Sequence, residues 1–151
     1  MKIDTVQDDT PAFVDPAVPA VPALPPTLDL TTFEVGTPVV VIEPGSKYQG
    51  GDRIFDATLT VKARVWAEFK ATDPGSWRTW RLRLDTQTDG SGSYHANRFR
   101  TLDQERFHIA VSEADRFIRA EGIRLDLGSP WHSQAGSIRL ARIIWEAQNQ
   151  G

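Results

Sequence analysis

Cysteine is absent from the 151 residues. That excludes a disulfide framework, a thiolate nucleophile and a zinc–thiolate site. Histidine is scarce, with only His95, His108 and His132. No two of them stand at His-x-His or His-x-x-x-His spacing, so no histidine metal pair is encoded. No apolar run approaches the roughly 18 residues that span a bilayer. Behind Met1-Lys2 there is no apolar stretch of the kind a secretory signal needs, so the expectation is synthesis and folding in a cytoplasm. Glycine patterns of the Rossmann or P-loop form are missing. Gly90-Ser91-Gly92-Ser93 is a flexible loop sequence, not a Gly-x-Ser-x-Gly nucleophile elbow. The acid pairs Asp103/Glu105 and Glu113/Asp115 fit solvated strand and helix-start positions better than a glycosidase pair. The expectation is a protein that is not an enzyme and holds no cofactor. A structural calcium ion is weighed against this: Asp73, Asp85 and Asp89 offer oxygen ligands, but they lack the regular spacing of a calcium loop.

What is present divides unevenly along the chain. The net charge is −3. Residues 1–52 hold eight acids and two bases, leaving fifteen bases and twelve acids for residues 53–151. An acidic arm thus precedes a mildly basic body. Six prolines fall between Pro11 and Pro26, among Ala, Val and Leu. Proline fixes φ and pushes its predecessor toward extended geometry, which predicts a polyproline-II-like strap over residues 1–32. Val14, Val18, Val21 and Leu24 give that strap small apolar side chains to press into a groove. Such an arm is expected to tether the protein to other subunits.

From residue 33 to 151 the pattern predicts one all-β domain with at most one short helix. Pro38–Ile42 is a short buried strand. Phe55, Ala57, Leu59, Val61, Ala63, Val65, Ala67 and Phe69 alternate with polar residues over one long, bending strand. Thr72-Asp73-Pro74-Gly75 is a turn. Trp80, Leu82 and Leu84 alternate in the next strand. Tyr94–Thr101, Phe107–Val111, Ile123–Leu127 and Ile138–Trp145 complete the expected set, the last with a slip in phase between Leu140 and Ile143. Ser112 is the expected cap of a short helix that stops at Gly122. About seven short strands with turns between them predict an antiparallel sandwich or barrel.

The run Ala114-Asp-Arg-Phe-Ile, then Gly122-Ile-Arg-Leu-Asp-Leu, Pro130 and Gly136-Ser-Ile-Arg-Leu-Ala-Arg-Ile, resembles the closing strands of galactose-binding-like jelly-roll domains. The resemblance covers about residues 53–147. It implies a jelly-roll β-sandwich. Members of that superfamily bind sugars, lipids, proteins or nucleic acids, or act as scaffolds, so the fold does not name the ligand.

Five tryptophans are many for this length. Trp80 falls in the core phase and Trp66 on the opposite face. Trp77 and Trp131 lie in or beside loops, and an exposed Trp suits either a sugar or a protein partner. Trp77, Tyr94, His95, Trp131 and His132 are the expected glycan platform, with Trp131 alternatively folded back as a plug. His108 is expected at the surface. Arginine outnumbers lysine, which favours interfacial pairing. The body lacks the basic stripe of a nucleic-acid binder. Two functions follow. One is a structural component of a large particle, such as a phage capsid decoration or tail protein, joined through the arm to other subunits in a virion. The other is a carbohydrate-binding module.

Overall fold

The computed structural model describes residues 10–14, 27–46, 48 and 50–150. The chain separates into two compact units. Residues 27–105 form one; residues 1–26 and 106–151 form the other.

The first unit is a single antiparallel sheet of five strands: β1 (Pro38–Glu43), β2 (Arg53–Lys62), β3 (Trp66–Ala71), β4 (Thr79–Arg83) and β5 (Arg98–Thr101). Their order is β4-β3-β2-β1-β5. Val39, Val41, Ala57, Leu59, Ala67, Phe69, Trp80, Leu82 and Phe99 point to one side and pack with Phe33. The sheet curls tightly around this core. Phe69 on β3 and Phe99 on β5 are separated by two strands, about 14 Å in a flat sheet. Their ring centroids are 4.7 Å apart. Phe33 stacks on Phe99 at 5.7 Å and fills the centre.

The curl brings the two edge strands within reach of one short segment. Arg83 N–H of β4 donates to the Thr88 carbonyl at 2.7 Å. Phe99 N–H of β5 donates to the Gln87 carbonyl at 3.0 Å, and Asp89 N–H to the Asn97 carbonyl at 2.9 Å. Residues 87–89 therefore bridge the open side of a half-barrel and satisfy edges that would otherwise be exposed.

The long alternating strand expected over residues 55–69 is two strands. They meet in a tight turn at residues 63–65, closed by Ala63 N–H on the Trp66 carbonyl at 2.9 Å. Thr60 is a bulge between the pairs Leu59–Phe69 and Val61–Glu68. Its hydroxyl donates to the Glu68 carbonyl at 3.0 Å. The extra residue switches parity, which turns Val61 out to solvent.

The second unit corrects the all-β expectation. Helix α1 spans Leu102–Ala120 and helix α2 spans Gln134–Asn149. The strands expected at Phe107–Val111 and Ile138–Trp145 lie inside them, and residues 123–127 have no regular structure. So the residues carrying the jelly-roll resemblance lie in both helices and in the irregular segment between them. Their burial has helical period: Phe107, Ala110, Ala114 and Ile118 on α1, Ile138 and Ala141 on α2. The phase slip between Leu140 and Ile143 is this period.

Both helices carry local signals. Thr101 and Gln104 make a reciprocal capping box: Gln104 N–H donates to Thr101 Oγ1 at 3.1 Å and Thr101 N–H to Gln104 Oε1 at 2.9 Å. Asp103 and Glu105 sit in that first turn. The expected stop at Gly122 is present. Its φ is +77°, and its N–H and that of Ile123 close onto the carbonyls of Arg119 and Ile118. Ser133 caps α2 by accepting Gly136 N–H at 2.9 Å. A Cβ on Gly136 would stand 2.7 Å from that same Oγ and 3.0 Å from the Trp131 carbonyl, so a side chain there would have to displace the cap.

The N-terminal segment docks on these helices. Phe13 is 2% exposed and lies among Phe107, Ala110, Ala114, Ile118, Ile138 and Ala141. Its ring meets Phe117 at 5.3 Å. Ala12 N–H donates to Glu113 Oε2 at 2.9 Å, and Arg142 Nε to the Phe13 carbonyl at 3.1 Å. Among the described residues no helix is long and apolar enough to cross a membrane.

Candidate functional site

The strand directions gather three loops at one end of the half-barrel. β1 and β3 run toward that end, while β2, β4 and β5 run away from it. Residues 87–89 run antiparallel to β5 and so return to the same end. It therefore carries the β1–β2 loop (44–52), the β3–β4 turn (72–78) and the loop 90–97 that enters β5. Each loop presents an aromatic ring. Trp77 is 95% exposed, Tyr94 93% and Tyr48 89%, the highest exposures of large apolar side chains among the described residues.

The backbone under each ring is pinned. In the 72–78 turn, Asp73 Oδ1 accepts Gly75 N–H at 3.0 Å and its carbonyl accepts Ser76 N–H at 3.0 Å. Asp89 spans the next loop: Oδ1 accepts Ser91 N–H at 2.9 Å and Oδ2 accepts Asn97 N–H at 3.1 Å. A hydrogen bond from the Ser91 side chain, foremost, and these backbone bonds hold its carboxyl below the ordinary range. Ser93 Oγ accepts His95 N–H at 3.1 Å, and His95 meets the Tyr94 ring edge-on at 5.4 Å. In the first loop Gly51 N–H donates to the Ser46 carbonyl at 2.9 Å.

A polar cluster forms the floor. Glu43, the last residue of β1, takes Arg78 Nη1 at 2.8 and 2.9 Å. It also takes Trp80 Nε1 at 2.8 Å. The Arg78 guanidinium lies 4.8 Å from the Phe55 ring centroid, and Phe55 packs on Trp80 at 5.4 Å. β1 and β4 are separated by two strands, so this cluster exists only because the sheet curls.

The outer face of the β3–β4 hairpin holds a second aromatic–arginine group. Trp66 lies under Arg81 at 4.8 Å and Arg83 at 5.4 Å. Arg83 is itself held by two hydrogen bonds to Asp85, at 2.8 and 2.7 Å. This group is already paired within the chain.

Of the five residues expected to form one platform, Trp77, Tyr94 and His95 lie at the loop end. Trp131 and His132 belong to the helical unit, on the loop before α2. Trp131 is half-buried and His132 exposed. His132 lines a cavity of about 910 Å³ together with Asp115, Arg119, Arg124, Asp126 and Ser137. His108 is exposed on α1. Of the expected arm contacts, Val14 packs against the helical core. Val18, Val21 and Leu24 lie outside the described residues. Two residues were missed. Phe13 is the only aromatic in the first 32 residues, a signal that was legible. Tyr48 carries no pattern of its own, and its place follows from the sheet topology. Asp73, Asp85 and Asp89 are each engaged locally, and no group of three or more His, Asp or Glu among the described residues is arranged to hold a metal ion.

Comparison of the chain with protein-family models, with curated proteins and with solved structures finds no match.

Proposed function

We propose that this protein is a non-enzymatic structural component of a larger assembly, joined to its neighbours by the N-terminal segment. The observation that carries the reading is the docking of residues 10–14. One aromatic, Phe13, fills the centre of a two-helix core from a point 94 residues before the nearest core residue on α1, Phe107. A backbone N–H and a backbone carbonyl fix its orientation on Glu113 and Arg142. This is a plug and a socket. In the single chain the plug occupies its own socket. The same pair joins copies when the plug is exchanged, since an identical contact forms either way.

The absence of cysteine makes a clean test available. Ala12→Cys and Glu113→Cys are placed on separate copies, mixed at increasing concentration and treated with a short bismaleimide. Exchange yields a covalent dimer between the two variants, lost when Phe13→Ala is added. Linkage confined to the double variant within one chain, with none in the mixture at any concentration, would overturn the reading.

A further inference from the structure

We infer that the loop end of the half-barrel is a carbohydrate-binding site, with Tyr48, Trp77 and Tyr94 as its stacking surfaces. Three independent loops each place one ring there, at nearly full exposure. A ring as exposed as that of Trp77 or Tyr94 gains little for folding, because burial of its apolar area is what would stabilise the chain. Its backbone is nonetheless organised: Asp73 and Asp89 each use carboxyl and backbone groups to hold a tip in one shape. A tip held before binding loses less entropy when a ligand arrives.

The surroundings choose the ligand class. A protein hot spot sets its aromatics in a desolvated apolar patch ringed by near-neutral contacts. Here the neighbours are polar: Asp52, Ser76, Ser91 and Ser93 on the same loops, and His95 edge-on against Tyr94. Exposed aromatic rings on loops that also carry hydroxyl, carboxylate and imidazole groups match a sugar. A pyranose offers an axial C–H face to a ring and equatorial hydroxyls to the groups beside it. Trp and Tyr are amphipathic enough to serve both. Three rings on three loops suit an oligosaccharide better than a single residue, since each stacks one unit.

The experiment uses the full chain on an array of neutral, amino and acidic oligosaccharides, followed by titration calorimetry on each positive glycan. Wild type is expected to bind. Trp77→Ala and Tyr94→Ala are each expected to weaken binding at least tenfold with no change in the denaturation midpoint, because neither ring contributes to the core. Trp131→Ala is expected to leave affinity unchanged. No binding across the array, or equal binding by the Trp77→Ala/Tyr94→Ala double variant, would sink the inference. So would cross-linking of these rings to a protein partner in the absence of any bound glycan.

Discussion

Glu43 shows how much a single side chain holds in this fold. Its carboxylate accepts both Arg78 and the indole N–H of Trp80, which is almost fully buried. Removing a partner from a buried donor costs more than the bond itself contributes, because the donor keeps its desolvation penalty. Glu43→Ala is therefore expected to destabilise the sheet unit by about 2 kcal/mol. Glu43→Gln should lose clearly less, since its amide oxygen still accepts from Trp80. Urea denaturation followed by tryptophan fluorescence compares the two, and equal losses would assign the effect to charge alone. Asp85 offers a test by titration. Its hydrogen bonds from Arg83 lower its carboxyl to about 2. A depressed carboxyl stabilises the fold above the unfolded value, near 4, and that contribution is lost as pH falls toward 2. An NMR titration of the Asp85 carboxyl should place its midpoint near 2 in wild type. In Arg83→Gln it should return most of the way to the ordinary range. The same substitution frees one side of the Trp66 ring.

At the scale of elements, the start of α1 decides where sheet gives way to helix. Thr101 is the last residue of β5 and also the cap of α1, and Gln104 closes the box. Gln104 further exchanges amide hydrogen bonds with Gln87 at 2.7 and 3.0 Å. Gln87 holds a left-handed backbone, φ 56°, in the segment that bridges the half-barrel. Thr101→Ala should cost about 1 kcal/mol of stability. Gln104→Ala should cost more, because it removes a cap and a tertiary contact together. Chemical denaturation of both variants ranks them, and the reverse order would show that the Gln87 pair contributes little. The box Thr101-Leu102-Asp103-Gln104 is a helix-start signal that the strand expected over Tyr94–Thr101 and the cap expected at Ser112 both pass over. Phe107-His108-Ile109-Ala110-Val111 explains why. Over five residues of mostly apolar and β-branched type, period two and period 3.6 fit equally well. Only the extension to Ala114 and Ile118 separates them. The sheet was legible where burial alternates: Ala57 and Leu59, Ala67 and Phe69, Trp80 and Leu82. The hairpin at residues 63–65 was not, because Ala-Arg-Val carries no turn residue and the Thr60 bulge hides the change of parity. At the candidate site, Trp77 and Tyr94 were legible as loop aromatics. That they share one end depends on strand order, which pairing between distant residues decides.

At the scale of the whole molecule, the plug makes stability of the helical unit depend on a segment remote in sequence. Two helices of 19 and 16 residues bury small side chains at their centre, Ala114 and Ala141 among them. Phe13 supplies the largest fully buried ring there. Phe13→Ala removes that ring and is expected to cost about 3 to 5 kcal/mol, the range for a buried phenylalanine, unless the helices close over the gap. The sheet unit has its own aromatic centre in Phe33, Phe69 and Phe99. A loss confined to the helical unit should therefore appear as a local opening rather than as global unfolding. Hydrogen exchange read by mass spectrometry separates the cases. In Phe13→Ala, amides of residues 106–120 and 134–149 should exchange faster, while those of β1, β2 and β3 keep their wild-type protection. Equal acceleration in the strands would mean that the two units open as one cooperative block. The same measurement on wild type at rising concentration bears on assembly. A plug that changes sockets leaves its own open only in transit, so protection of residues 106–120 should not fall as copies associate. Falling protection there with rising concentration would show that association displaces the plug without replacing it.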